Sequence, residues 1–261
     1  MPRLAPNTPT WFAACCCLLT ATAQVQAQVR VSIGPRLGLN LAGAPYADDF
    51  RAVAYRTTTR TGLEAGLLAT VGRGHWAVQP ALVLSQKGFV IDDDNTTSSN
   101  GQVNRVVTNS AYRFNYLTLP LNLAYAQGAD GQGLQVFAGA YAGLLLGGSY
   151  RSDVSYSYRT PTSAGGGAVH RAGPVAGGDY YASSGTSDLA FYSRRFDAGL
   201  QGGLGYCRSR ALLQIGYSLG LRNLGAAYRY GSGPTAQVAP GPSYRNRALQ
   251  AALTYLFASK G

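Results

Sequence analysis

The chain has 261 residues, 22 Lys and Arg against 11 Asp and Glu, and a mean hydropathy of -0.04. Only 13% of residues are charged and 46% are hydrophobic, whereas a soluble domain averages about 25% charged. No run reaches the roughly 18 apolar residues of a membrane-spanning helix, and the composition is too apolar for disorder. Strands that turn one face to lipid and the other to water fit what remains.

The N-terminus reads as a secretory leader over residues 1–27: Arg3 is the positive region, Trp11 to Ala23 the apolar one. Val25-Gln26-Ala27 fits a cleavage site, with Ala21-Thr22-Ala23 as a second. Phe12-Ala13-Ala14-Cys15 resembles a lipoprotein site but precedes most of the apolar stretch, so that reading fails. Cys15, Cys16 and Cys17 would leave with the leader, and Cys207 alone excludes an intramolecular disulfide.

Residues 28–261 alternate with period two, the strand signature. Val31, Ile33, Leu37, Leu39 and Leu41 oppose Arg30, Arg36 and Asn40. Leu63, Ala65, Leu67 and Ala69 oppose Gly62, Glu64, Gly66 and Leu68; Trp76 to Leu84 oppose Gln79, Ala81, Val83 and Ser85. Leu117, Leu119, Leu121, Leu123 and Tyr125 oppose Tyr116, Thr118, Pro120, Asn122 and Ala124. Leu134 to Leu146 is apolar on both faces, and its register stays open. Alternation resumes over 196–205, 211–222 and 248–257. The pattern predicts an all-β fold, an eight-stranded antiparallel up-and-down transmembrane β-barrel of the outer-membrane type. The polar faces carry Gly, Ser, Gln and Asn rather than the Lys and Glu of a solvated sheet, and Lys is limited to Lys87 and Lys260.

Connections alternate too. Short turns are expected at 72–74, 127–133 and 207–210, and long extracellular loops at about 43–60, 92–110, 151–190 and 225–245. Short turns on the periplasmic side and long loops outside are the outer-membrane pattern. Trp76, Tyr125 and Tyr206 are expected in one aromatic girdle, and Tyr112, Tyr116, Tyr150 and Tyr192 in the other. The aromatic end Leu253-Thr254-Tyr255-Leu256-Phe257 resembles the terminal strand recognised by the barrel-assembly machinery, although Ala258-Ser259-Lys260-Gly261 follow it.

Three motifs carry a family resemblance: Ser85-Gln86-Lys87-Gly88, Asn115-Tyr116-Leu117-Thr118-Leu119-Pro120-Leu121 and Gly220-Leu221-Arg222-Asn223. With them the chain resembles the PorT-type outer-membrane β-barrel family, often labelled porin-family, over nearly all of the mature chain. The resemblance implies a barrel in a Gram-negative outer membrane; the family's namesake assists secretion of cell-surface proteins.

An eight-stranded barrel is filled by its own side chains. Arg36, Glu64, Lys87, Asp197 and Arg222 are the candidates for a charge-compensated polar network closing the lumen. Arg56, Arg60, Arg105, Arg151 and Arg245 fall in or beside the long loops and suit bidentate contact with lipopolysaccharide phosphates. Dispersed arginines in an envelope protein do not make a nucleic-acid site. Expected partners are outer-membrane lipid and lipopolysaccharide, the barrel-assembly machinery, and a secretion or surface protein. The Gly-rich stretch Thr160 to Gly185 is the candidate contact segment for that protein.

No catalytic, metal or cofactor site is expected. Gly216-Tyr217-Ser218-Leu219-Gly220 matches G-x-S-x-G but lies in a strand with no following helix. Asp92-Asp93-Asp94-Asn95 lacks the spacing of a Ca²⁺ loop. The glycines from Gly199 to Gly205 have no βαβ context and fit a crowded interior better. A structural, binding or secretion-accessory role is expected, with a narrow channel or a lipid-modifying enzyme as competitors.

Overall fold

The computed structural model describes residues 29–49, 53–181, 189–231 and 236–258; the expected leader lies outside them. Eight long strands dominate: β1 Arg30–Gly43, β2 Thr57–Arg73, β3 Trp76–Ser99, β4 Gln102–Ala126, β5 Gly133–Arg159, β6 Phe196–Arg208, β7 Ala211–Gly220 and β8 Arg247–Tyr255. Each pairs antiparallel with the next, and β8 pairs back onto β1, Arg36 opposite Thr254 through Gly43 opposite Arg247. The ring is closed, so every strand's backbone is paired on both sides along the wall, as lipid requires. Among the described residues no helix is long and apolar enough to cross a membrane.

The alternation sorts faces as expected. Leu37 is 65% exposed and Leu204 62%, with Leu63, Leu84, Leu119 and Leu200 alike around the outer wall. An apolar belt that encircles the molecule is far larger than the patches a water-soluble monomer leaves open. The register of the ambiguous fifth segment is settled by its neighbours: Leu134, Val136 and Leu146 point out, whereas Gln135, Phe137, Tyr141 and Leu145 point in. Glycines admit the large inward side chains. A Cβ at Gly199 would lie 2.7 Å from Tyr141 Cε1, and one at Gly216 would lie 2.9 Å from Phe137 Cζ.

In two of the expected long loops most of the described residues are instead strand. β3, β4 and β5 run 24, 25 and 27 residues, more than twice the roughly 9–11 needed to cross a bilayer. β3 and β4 meet at Asn100-Gly101, whose φ values of 51° and 78° form a two-residue hairpin turn. Asp92, Asp93 and Asp94 therefore sit in the β3–β4 ladder, opposite Asn109, Thr108 and Val107. β5 continues to Arg159 and pairs with a further strand, Ala164–Gly177. The outer parts of these four strands form one sheet that projects beyond the barrel, while Val175 at its base joins the buried core. Around 43–60 and 225–245 the described residues outside β2 form short strands, Tyr46–Asp48 pairing both Val53–Tyr55 and Pro242–Tyr244.

Candidate functional site

The inward residues build two connected layers. In the lower one, Arg36 Nη2 meets Glu64 Oε1 at 3.1 Å and Arg36 Nη1 donates to Gln214 Oε1. Gln214 Nε2 donates to Gln79 Oε1 (3.0 Å), Gln79 Nε2 to Gln135 Oε1 (3.2 Å), and Gln135 Nε2 to the Gly131 carbonyl (2.9 Å). Each amide spends its carbonyl on one neighbour and its NH₂ on the next, so the chain of bonds runs from mid-lumen to the β4–β5 turn. Beside it Gln201 Nε2 donates to Asn122 Oδ1 (2.7 Å). The space left among Arg36, Phe137, Gln214 and Gln250 is about 30 Å³, room for a water or two.

In the upper layer, Lys87 Nζ lies 3.5 Å from Asp197 Oδ2, with side chains 2% and 0% exposed. The same oxygen accepts Asn246 Nδ2 at 2.9 Å and the Tyr141 hydroxyl at 3.2 Å. Lys87 also lies over the Tyr141 ring, 4.4 Å from its centroid. A buried ion pair needs such added donors to offset its desolvation. Of the five residues expected in the network, the structure thus brings Arg36 to Glu64 and Lys87 to Asp197. Arg222 is the exception: it is exposed, because β7 ends at Gly220 and the chain there leaves the wall. Its neighbour Asn223 turns inward to the returning chain, its Oδ1 accepting the Gly225 and Tyr244 amides at 3.0 and 3.1 Å.

Above the Lys87–Asp197 pair an aromatic cluster fills the bore. Phe89, Phe114, Tyr116 and Tyr244 are 0–2% exposed, joined by Tyr112, Phe191, Ile91, Leu145 and Leu224. Ring centroids stand 4.8 Å apart for Tyr112 and Phe191, and 4.9 Å for Phe89 and Tyr112, within the range of favourable aromatic pairs. The Tyr244 hydroxyl donates to Ser193 Oγ at 2.7 Å.

This corrects the second aromatic girdle. Tyr112 and Tyr116 sit on the same face of β4 as Phe114 and Thr118, inward, and Tyr150 packs half-buried on the cluster. Tyr192 is also half-buried and meets Tyr181 edge-on at 5.7 Å. At the other end Trp76, Tyr125 and Tyr206 are exposed on the outer wall. Tyr46, Phe89, Phe114, Phe191 and Tyr244 are the residues that sequence reasoning missed. For Phe89 the available signal was the inward parity of Lys87, Phe89 and Ile91 carried past the expected strand end, and for Phe114 the parity it shares with Tyr112 and Tyr116; Tyr46, Phe191 and Tyr244 had no such signal.

The five arginines proposed for phosphate differ in their freedom. Arg105 pairs through two nitrogens with Asp94, and its guanidinium holds the Asp94 carboxyl below the usual carboxylate range. Arg151 Nε lies 3.0 Å from Asp153 Oδ2; Asp153 Oδ1 is 2.7 Å from His170 Nδ1, and these partners, His170 foremost, hold its carboxyl low. Arg56 and Arg245 are exposed and Arg60 is half-buried. Ser218 is buried in the wall, its hydroxyl donating to the Ala248 carbonyl at 3.4 Å. His75 lies in the β2–β3 turn and His170 in the projecting sheet, at opposite ends of the molecule.

A family model described as outer membrane protein beta-barrel domain matches residues 22–225. Solved structures similar to the chain include Ail, the attachment invasion locus protein of Yersinia pestis, at 7% identity and a TM-score of 0.35, covering 87% of this chain and 98% of Ail. Neisserial surface protein A is 12% identical with a TM-score of 0.34, covering 85% and 97%. A deltaS2 mutant of the TodX monoaromatic hydrocarbon channel is 9% identical with a TM-score of 0.24, covering 90% and 91%. No curated protein matches the sequence.

Proposed function

The chain belongs to the outer membrane protein β-barrel domain family and lies in the outer membrane; from that premise we propose that it is a closed barrel with a structural or binding role at the cell surface, not a diffusion channel. The carrying observation is the blocked bore: about 30 Å³ of free space at mid-lumen beneath a plug of buried aromatic rings. On this reading neither layer passes a hydrated ion. Outer-membrane barrels keep short turns in the periplasm, so the projecting sheet of β3, β4, β5 and Ala164–Gly177 faces outward and is the part we assign to a surface or secretion partner. A place in the PorT-type branch, with an accessory role in secretion, is the finer form of this proposal. Arg56, Arg60 and Arg245, which form no ion pair among the described residues, are the better candidates for lipopolysaccharide phosphate than Arg105 and Arg151. The buried Ser218 and the separation of the two histidines support a non-enzymatic reading.

Reconstitution in planar bilayers tests the proposal. Wild type is expected to stay at the baseline of protein-free membranes; long-lived, reproducible conductance steps would refute the closed lumen. Loss of partner retention from native outer membranes on replacing residues 94–107 by a short turn would support the sheet as the contact surface.

A further inference from the structure

At the short-turn end the barrel is hollow. A cavity of about 220 Å³ lies inside the rim, bounded by the turns at Gly74-His75, Asp130-Gly131-Gln132 and Ser209-Arg210. Its wall includes Arg30, Thr70, Cys207 and Leu212, and its floor is Gln79 and Gln135, already committed to the hydrogen-bond chain described above. Arg30 is fixed at the rim by Nη2, which donates to the Gly74 carbonyl at 3.0 Å. Gly131, at φ +79°, lets the opposite turn approach closely, its hypothetical Cβ lying 3.2 Å from that same nitrogen. The other guanidinium nitrogen, Nη1, is buried without a protein partner, and so is the Thr70 hydroxyl. The one carboxylate in the lining, Asp130, accepts the Gln132 amide at 3.0 Å, and Arg210 adds a second positive charge.

A pinned guanidinium with a free N–H edge, a free hydroxyl, an excess of positive charge and an apolar wall of Leu212, Leu256 and Ala124 fit one ligand chemistry. We propose that this cavity binds a small organic carboxylate from the periplasm, its charged end on Arg30 and Thr70 and its short carbon chain on the apolar wall. Carboxylate on arginine is the charge-assisted bond that best satisfies such a donor, and a cavity below the usual range of drug-sized pockets suits a small guest. The proposal is independent of whether the upper bore conducts.

Cys207 lines the cavity and supplies the readout. In the chain carrying Cys15→Ser, Cys16→Ser and Cys17→Ser, refolded in detergent, Cys207 is the single thiol. Butyrate at roughly four times its dissociation constant is expected to slow N-ethylmaleimide labelling of Cys207 about fivefold. Butyramide should not. Arg30→Gln should abolish the butyrate effect while the barrel keeps its heat-modifiable migration; should that variant not fold, Thr70→Val must weaken the effect instead. Equal protection by butyramide, protection retained in the folded variants, or no protection by butyrate would each overturn the proposal and leave a cavity for water only.

Discussion

At the long-hairpin rim Phe89, Phe114, Tyr116 and Tyr244 fill the bore, whereas at the short-turn rim Arg30, Thr70 and Cys207 surround about 220 Å³ of open space. The same eight strands build both ends. The difference lies in how much chain is available to fold back. Tyr46, Phe191 and Tyr244 come from connecting segments that return over the mouth, held there by Asn223 and by the Leu224 amide, which donates to the Tyr244 carbonyl. Turns of two residues, such as Gly74-His75 and Ser209-Arg210, have nothing to spare. A barrel this narrow is thus stoppered by its connections more than by its wall.

Breaking the ion pair beneath the plug is expected to have the largest effect. Lys87→Met leaves Asp197 buried and uncompensated, which should cost roughly 3–5 kcal/mol, read as a lower urea midpoint for refolding into lipid vesicles. Adding Asp197→Asn should restore most of it; no restoration would mean that the pair itself is not what Lys87 contributes. Phe114→Ala removes a fully buried ring from the plug and should cost about 3–5 kcal/mol, with intermittent conductance appearing as the stopper loosens. Leu212→Ala near the hollow rim removes a smaller buried side chain from the cluster of Leu68, Val83 and Leu256 and should cost about 2–5 kcal/mol, with no conductance appearing. Conductance in that variant as well would mean that the aromatic plug is not what closes the bore.

The projecting sheet should contribute least. Asp94 titrates below its ordinary value because Arg105 hydrogen-bonds its charged form. A depressed folded-state value means that any stabilisation is present above the ordinary aspartate range near 3.9 and lost as pH falls through the lowered value. The pair is exposed, so Arg105→Gln should leave the unfolding midpoint at pH 7 unchanged. Any difference from wild type should also vanish by about pH 2, where Asp94 is protonated in both.

The strands, their facing and the closed eight-membered ring were legible because lipid imposes a strict alternation: a leucine on the wrong face would have nothing to pack against. The inward set of Arg36, Glu64, Lys87 and Asp197 followed from the same parity. Parity also assigned Tyr116 to the lumen, and the girdle expectation overrode it by reading aromatic type without facing. Asn100-Gly101 was an available hairpin signal, outweighed by the polar residues on either side, since a sheet wet on both faces has no apolar period to announce it.

Composition and period-two patterning were enough to fix lipid as the solvent of one face and polar side chains as the filling of the other, since both depend on each residue's own hydration. Which groups meet across the bore, that Tyr244 and Phe191 return to seal one mouth, and that Arg30 keeps a free edge at the other follow from closure of the ring. Closure sets side by side residues as far apart in the chain as Arg36 and Gln214, and no local pattern encodes that distance.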